Sequence, residues 1–584
     1  MGRKRLGALL ALAGLVFSAC GAGTSPSPSA PAATSAGASS PASASAPASP
    51  SAAIKEGGTL VVGLDGDMVF ADPAIISDSN SSYVALQVVE GLVGLKPGTV
   101  SDVIPVLAAS VPQASADGKT YTFTLRTGVK FQDGTDFNAD AVKYNYDRWK
   151  NFPKGDLQDN AYYYGAVFGG FGADSNIVSV DAPNETTVVF TLKQPQSNFL
   201  LSQTIQPFAM QSPAALKAGD ADSTPLANNK YAQGQLGQGK DMVGTGPFMF
   251  KDWVPNDNIT IVKNPNYWNP AGVAHLDTVV FKPFADQTSK LQALQSGGID
   301  LAQTVSPNDL ATIKSNTKLT VIDRGESCNA AQISMNQDGS VKGADSPAQH
   351  KLLANKDIRM AIAYAVNKQS YIDAFYGGLA KPADNWMPPS TQYYKAENLP
   401  TYDQAKAKAL IAQSGEKDLT IDLYYPSDVV RPYMPDPKGL AQAIAQDLTA
   451  VGFTINLKSE GWRTGYLADE EVGKFPMWIL GWTCDWAGAD NFLYTAFFHL
   501  TGNTQPEFGY INQDLNAAML AGLAATTDAD AQTQWQKAQD ILAADMPTVP
   551  LVNSTPPGAM QAYVKGFQGA GNLTEAFNTV WLDK

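Results

Sequence analysis

Apolar and polar residues alternate in short runs along most of this chain, and longer runs with helical spacing lie between them. Gly58-Thr59-Leu60-Val61-Val62-Gly63-Leu64 reads as a first strand. Tyr121-Thr122-Phe123-Thr124-Leu125 alternates with a period of two, and Val129 and Phe131 continue it after a turn. Thr187–Leu192 is a further strand, and Met477-Trp478-Ile479-Leu480 is a buried one. Phe248-Met249-Phe250 and Ile259–Val262 flank Pro255-Asn256-Asp257-Asn258, which predicts a hairpin with turn residues at its tip.

Helical spacing is equally plain. Phe137 to Trp149 predicts a helix with Asn138 as its N-cap. Leu291 and Leu294 share a face that ends at Gly297-Gly298, before Ile299-Asp300-Leu301. Asp357 to Ile372 predicts one helix, with Ile358, Ile362 and Val366 on one side. Leu440, Ile444, Leu448 and Val451 form a stripe that Gly452 closes, and Phe453, Ile455 and Leu457 then alternate as a strand. Such stripes are core and carry no chemistry. The chain is thus mixed α/β, without internal repeats and without a linker after residue 53. Domains joined by strands that cross back and forth are expected.

The N-terminus has a different character. Arg3, Lys4 and Arg5 precede the apolar run Leu6–Phe17, too short to span a membrane but suited to a signal peptide over 1–19. Phe17-Ser18-Ala19-Cys20 resembles a lipobox, with Phe where Leu is usual, and makes Cys20 the expected lipidation site. The alternative is an ordinary secretory leader with an incidental Cys. From there to residue 53 the chain is almost all Ser, Ala, Pro, Gly and Thr, and cannot offset its ordering entropy by burial. It reads as a tether of about 30 residues, some 100 Å at full stretch.

The remainder is globular in composition, with 44% hydrophobic residues overall. The whole chain has a net charge of −14, and −17 without Arg3, Lys4 and Arg5, which argues against the basic patches that nucleic acid and acidic lipid surfaces require. Three histidines without close spacing give no zinc site, and no cofactor or metal is expected. No Gly-x-Ser-x-Gly elbow or P-loop occurs. Gly244-Thr245-Gly246-Pro247 lacks the third Gly of a dinucleotide fingerprint and has Pro where a helix would open. Catalysis has no support. With Cys20 lipidated, Cys328 and Cys484 remain, either as one disulfide or as two buried thiols.

Several ordered blocks together resemble one family, the large solute-binding proteins of ABC importers of the dipeptide and oligopeptide type (family 5). They are Phe131-Gln132-Asp133-Gly134, Phe137–Tyr144, Gly244–Phe248 with Trp253, Asn264-Pro265-Asn266-Tyr267-Trp268, Ile358–Lys368, Arg431-Pro432-Tyr433-Met434-Pro435, and Gly481-Trp482-Thr483-Cys484-Asp485. The likeness runs from about residue 58 to the C-terminus. It implies an α/β, two-lobed periplasmic-binding-protein-like fold (type II, large form) with a third domain inserted in the first lobe and a hinge of crossing strands. The implied boundaries are 54–90, 200–327 and 553–584 for lobe I, 91–199 for the inserted domain and 328–552 for lobe II.

The resemblance implies a monomeric receptor, not an enzyme. It would hang by its lipid anchor at the extracytoplasmic face of the bacterial cell membrane, capture a small peptide between the lobes and pass it to the ABC permease subunits. Asp485 would take the ligand's α-ammonium and Arg431 its carboxylate in a bidentate fork. Trp482, Thr483, Trp486 and Tyr433 would line the site, and Ser79 would meet the ligand from the first lobe. Cys328 and Cys484 would be bonded. The competing readings are structural: Asp485 as a residue present whatever the ligand, Arg431 as a cap or a partner of Asp436, Trp486 as core. Gly488-Ala489-Asp490-Asn491-Phe492 departs from the family's Asp-Pro-Asp-Asn-Phe. The rival ligands are an oligosaccharide, an opine or a metal chelate. The rival functions are a tethered hydrolase and a signalling lipoprotein.

Overall fold

The computed structural model describes residues 53–341, 343–500 and 503–584. The leader, Cys20 and the Ser/Ala/Pro segment lie outside the described residues. Three sheets organise the rest. The first has seven strands in the order Leu319–Ile322, Gly558–Gln561, Leu301–Ala302, Thr59–Leu64, Thr278–Pro283, Asn258–Lys263 and Phe248–Val254. The second has six, in the order Ala380–Pro382, Val549–Ser554, Asn329–Met335, Met477–Thr483, Thr420–Pro426 and Thr454–Glu460. A small antiparallel sheet of Thr120–Thr124, Thr187–Leu192 and Ile177–Asn184 forms the core of the inserted domain.

These are two lobes with an insertion in the first. The chain passes between the large sheets twice, at 323–328 and at 555–557, and these crossings form the hinge. The strand Val549–Ser554 stays in the second sheet to its end, pairing Ser554 with Ala380. That takes lobe II past the expected boundary at 552. Asn329–Met335 sits at the centre of its sheet with every residue buried, so strands on both sides satisfy its backbone groups. Among the described residues no helix is long and apolar enough to cross a membrane.

The predicted elements form for the expected local reasons. Asn138 accepts from Ala141 N at 3.0 Å and opens the helix Ala139–Lys150. Gly297 and Gly452 close Gln287–Ser296 and Pro437–Val451 in the left-handed conformation. The hairpin Phe248–Val254/Asn258–Lys263 turns through Asn256 at φ 62°. One expectation fails. The apolar stripe over 357–372 is two helices, Lys356–Ala365 and Lys368–Phe375. Val366 is extended, and Asn367 starts the second helix by accepting from Ser370 N. The N-cap breaks a run whose side chains still all face the core.

The family-like blocks at 131–134, 244–248 and 264–268 converge on residues 87–90. Gly246 N donates to Val88 O at 2.9 Å, and a Cβ on Gly246 would stand 2.7 Å from that oxygen, so only glycine fits. Gln132 Nε2 donates to Val88 O and Phe248 O. The half-buried Glu90 carboxylate accepts from Thr245, Tyr267 and Trp268. These residues make a scaffold. It fixes the segment that continues from the helix Ser79–Ala85, and that helix faces the space between the lobes. Arg148, fully buried, donates to Asp72 at 2.6 Å and anchors the inserted domain to the loop before Ser77.

Candidate functional site

A cavity of ≈ 390 Å³ lies between the lobes, within the usual size of small-ligand sites. Lobe I contributes Ser77, Asp78, Ser79, Ser82 and Tyr83. The inserted domain contributes Tyr163. Lobe II contributes Arg431 to Tyr433, Trp462, Arg463 and Trp482 to Asp485.

Asp485 is positioned by the sheet. The strand Met477–Thr483 pairs along its whole length with Asn329–Met335, and Cys484 N donates to Cys328 O at 2.8 Å one step further on. A disulfide joins the same two residues. It staples the first hinge crossing to the segment that carries Asp485. Gly481 is required in this strand, since a Cβ there would strike Ala330 O and the Tyr433 ring.

The Asp485 carboxylate is half-buried and has only neutral partners. Tyr163 OH donates to Oδ1 at 2.6 Å and Asn491 Nδ2 to Oδ2 at 3.0 Å. Asn491 Oδ1 accepts from Asp485 N and from Trp482 Nε1, both at 3.1 Å, and so holds the whole segment. Among the described residues no cation pairs with Asp485. Burial pushes its pKa from 3.8 to about 6, against the pull of its hydrogen-bond donors.

Arg431 has the complementary character. A tight turn, with Arg431 and Met434 exchanging backbone hydrogen bonds, presents its side chain to the cavity. Its guanidinium carbon lies 4.6 Å from the Trp462 ring centroid, a cation–π contact. Its Nε is sealed from solvent without a partner. Asp436 does not pair with it: that carboxylate caps the helix Pro437–Val451 through Gly439 N at 2.9 Å. An unpaired buried donor of this kind is costly unless something fills the site.

The structure thus brings Asp485, Arg431, Trp482, Thr483, Tyr433 and Ser79 to one cavity. Thr483 Oγ1 bonds Asn329 Oδ1, and Tyr433 is buried with its carbonyl accepting from Tyr376 OH at 2.8 Å. Trp486 is a correction. It is fully buried away from the cavity, packed with the core of the inserted domain, and its indole N–H donates to Asp490 at 2.9 Å. Asp490 also accepts from Asn198, so this pair fastens the segment to the inserted domain. Among the described residues no group of His, Cys, Asp and Glu is arranged to hold a metal.

Residues 102–504 match the family described as bacterial extracellular solute-binding proteins, family 5 Middle. The chain is a member of that family. Di/tripeptide-binding protein 1 of Pseudomonas aeruginosa is 30% identical over 485 residues, covering 80% of this chain and 83% of the relative. Heme-binding protein A of Haemophilus influenzae is 28% identical over 530 residues, covering 88% and 90%. Among solved structures, the periplasmic binding protein DppA of Helicobacter pylori in complex with the peptide STSA superposes with a TM-score of 0.72. It is 26% identical, with 91% of this chain and 99% of that one covered. The family is one of binding proteins, and this member is not an enzyme.

Sequence reasoning missed Tyr163, Trp462, Arg463 and the role of Asn491. The run Tyr162-Tyr163-Tyr164 and the Asp490-Asn491-Phe492 triplet are visible signals for two of them. Nothing in the sequence links Trp462 to Arg431.

The disulfide carries a measurable consequence. Replacing Cys328 and Cys484 together by serine is expected to lower unfolding stability by about 2–4 kcal/mol, because the bond closes a loop of 156 residues in the unfolded chain. Urea unfolding of the oxidised protein and the double variant checks it.

Proposed function

We infer that this protein is a receptor for small free peptides, held at the extracytoplasmic face of the cell membrane by an acylated Cys20. It acts as a monomer and delivers its ligand to an ABC import permease. One observation carries the ligand assignment: an unpaired carboxylate, Asp485, and an unpaired guanidinium, Arg431, line the same inter-lobe cavity. A free peptide is a zwitterion, and each of its termini must find a counter-charge on leaving water. Trp482, Tyr433 and Trp462 supply apolar wall between the charges. The peptide-binding relatives and the basic, apolar, lipobox-like leader support the reading.

The test is a thermal-shift comparison of a free dipeptide with its N-acetylated and C-amidated forms. The free peptide at 100-fold its dissociation constant should stabilise the protein by about 2.7 kcal/mol. Each capped form removes one charge and should shift melting far less at the same concentration. Equal shifts from all three forms, or shifts only from an oligosaccharide, an opine or a metal chelate, would overturn the assignment.

A further inference from the structure

A second cavity, ≈ 400 Å³, also lies between the lobes. It shares Arg431 and Pro432 with the first, so the arginine forms part of the wall of both. Lobe I contributes the loops around Asp65, Gln287 and Thr304–Asp309, lobe II contributes Tyr376 and Val430, and the second hinge crossing closes the back.

Apart from Arg431, the charged side chains on the wall of this chamber are acidic, Asp65 and Asp309. Pro307, Pro432, Pro435, Pro556 and Pro557 line it, and proline has a carbonyl but no N–H. These five residues offer no backbone donor, and two hydroxyls on the wall donate elsewhere, Thr304 to Asp65 and Tyr376 to Tyr433 O, while Thr288, Ser306, Asn308 and Thr555 keep polar side chains there. Asp65 is already neutralised: Lys290 pairs with it, and Gln287 Nε2 donates to it at 2.9 Å. That commitment leaves Gln287 Oε1 as an acceptor shut off from solvent with no partner. Asp309 has no ion pair among the described residues. It stands at the N-terminus of Leu310–Ser315 without bonding that helix through its side chain. The only basic side chain on the wall is Arg431 itself.

Resting on the peptide-receptor reading of the first cavity, we propose that this second chamber receives the side chain of the ligand's C-terminal residue. We further propose that it selects a basic side chain, lysine or arginine, with Asp309 as the counter-ion. Once Arg431 holds the α-carboxylate, the side chain of that same residue begins one carbon away, at the wall the two cavities share. A lysine ammonium brings three donors and no acceptor, and an arginine five. One unpartnered amide oxygen, Gln287 Oε1, and one unpaired carboxylate, Asp309, meet those needs on this wall. An acidic side chain would face the Asp309 carboxylate and Gln287 Oε1, with Arg431, the one basic side chain on the wall, already engaged by the α-carboxylate.

Titration calorimetry with Ala-Ala, Ala-Lys, Ala-norleucine and Ala-Glu tests this, on the wild-type protein and on Asp309→Asn. Norleucine matches the lysine stem without its charge. Ala-Lys is expected to bind about tenfold tighter than Ala-norleucine, and Ala-Glu weakest. In Asp309→Asn the Ala-Lys to Ala-norleucine ratio should collapse towards one. That ratio reads the preference even if the variant weakens every peptide. Equal affinities for these two peptides in the wild type, with Ala-Ala bound, would overturn this inference alone, as would a ratio unchanged by Asp309→Asn. Failure of all four peptides to bind would remove the peptide reading and this inference with it.

Discussion

Asp485→Asn should weaken binding of a free dipeptide by roughly 100-fold or more, the ~3–5 kcal/mol that attends loss of one member of a buried ion pair. Asparagine keeps the shape and one oxygen for the Tyr163 hydroxyl, so the loss isolates the charge. The same logic gives the pH dependence. Binding an ammonium requires the carboxylate, and its pKa in the free protein is about 6. Affinity should be flat above that pH and fall about tenfold per unit below it, and Asp485→Asn should abolish the slope.

A second readout has the opposite sign. The folded-state pKa lies above the ordinary 3.8. Its contribution to stability is therefore fully present below 3.8 and is lost as the pH rises through about 6. At pH 7 the ligand-free protein carries a penalty of up to ~3 kcal/mol that the variant lacks. Ligand-free Asp485→Asn should then melt higher than wild type at pH 7 and match it below pH 4. A binding group held at a cost to the empty fold is the expected trade between activity and stability. A variant that melts lower at pH 7 and binds dipeptides as before would make Asp485 a structural residue.

Most of the fold was legible because burial is local in a strand or a helix. Alternation at Tyr121–Leu125 and the stripe from Leu440 to Val451 report which face meets the core, and the caps at Asn138, Gly297 and Gly452 report where each element ends. The break at Asn367 was hidden because Val366 keeps the stripe in phase, while the N-cap acts through a single side-chain hydrogen bond. The site was legible only in part. Trp482 and Trp486 look alike in sequence, four residues apart beside one Asp. The strand ends at Thr483, however, and the alternation that would sort them stops with it. Beyond that point the direction of each ring depends on the inserted domain, which buries Trp486 and sends Tyr163 to Asp485. Contacts between positions 322 residues apart leave no local trace.

The hinge yields the second large effect. Arg324 lies in the first crossing and is fully buried. Its guanidinium pairs with Glu575, which is also fully buried, and donates to Pro556 O at 2.8 Å in the second crossing and to Gln303 O at 2.7 Å in lobe I. One side chain therefore ties both crossings and the C-terminal segment together. Tyr83, on the ligand cavity wall, donates to the same Glu575 at 2.8 Å, which continues the network to the binding site. Arg324→Met fills similar volume but strands the Glu575 carboxylate without a cation. The expected loss is ~3–5 kcal/mol of unfolding stability by urea denaturation. Adding Glu575→Gln removes the stranded charge and should restore most of that loss, since uncompensated burial, not the missing attraction, is the larger part of the penalty. A single variant that loses under ~1 kcal/mol, or a double variant no better than the single, would show that the charge pair does not hold the crossings. If both expectations hold, the hinge bends around a fixed charged core, and closure over a ligand must take place in the segments on either side of it.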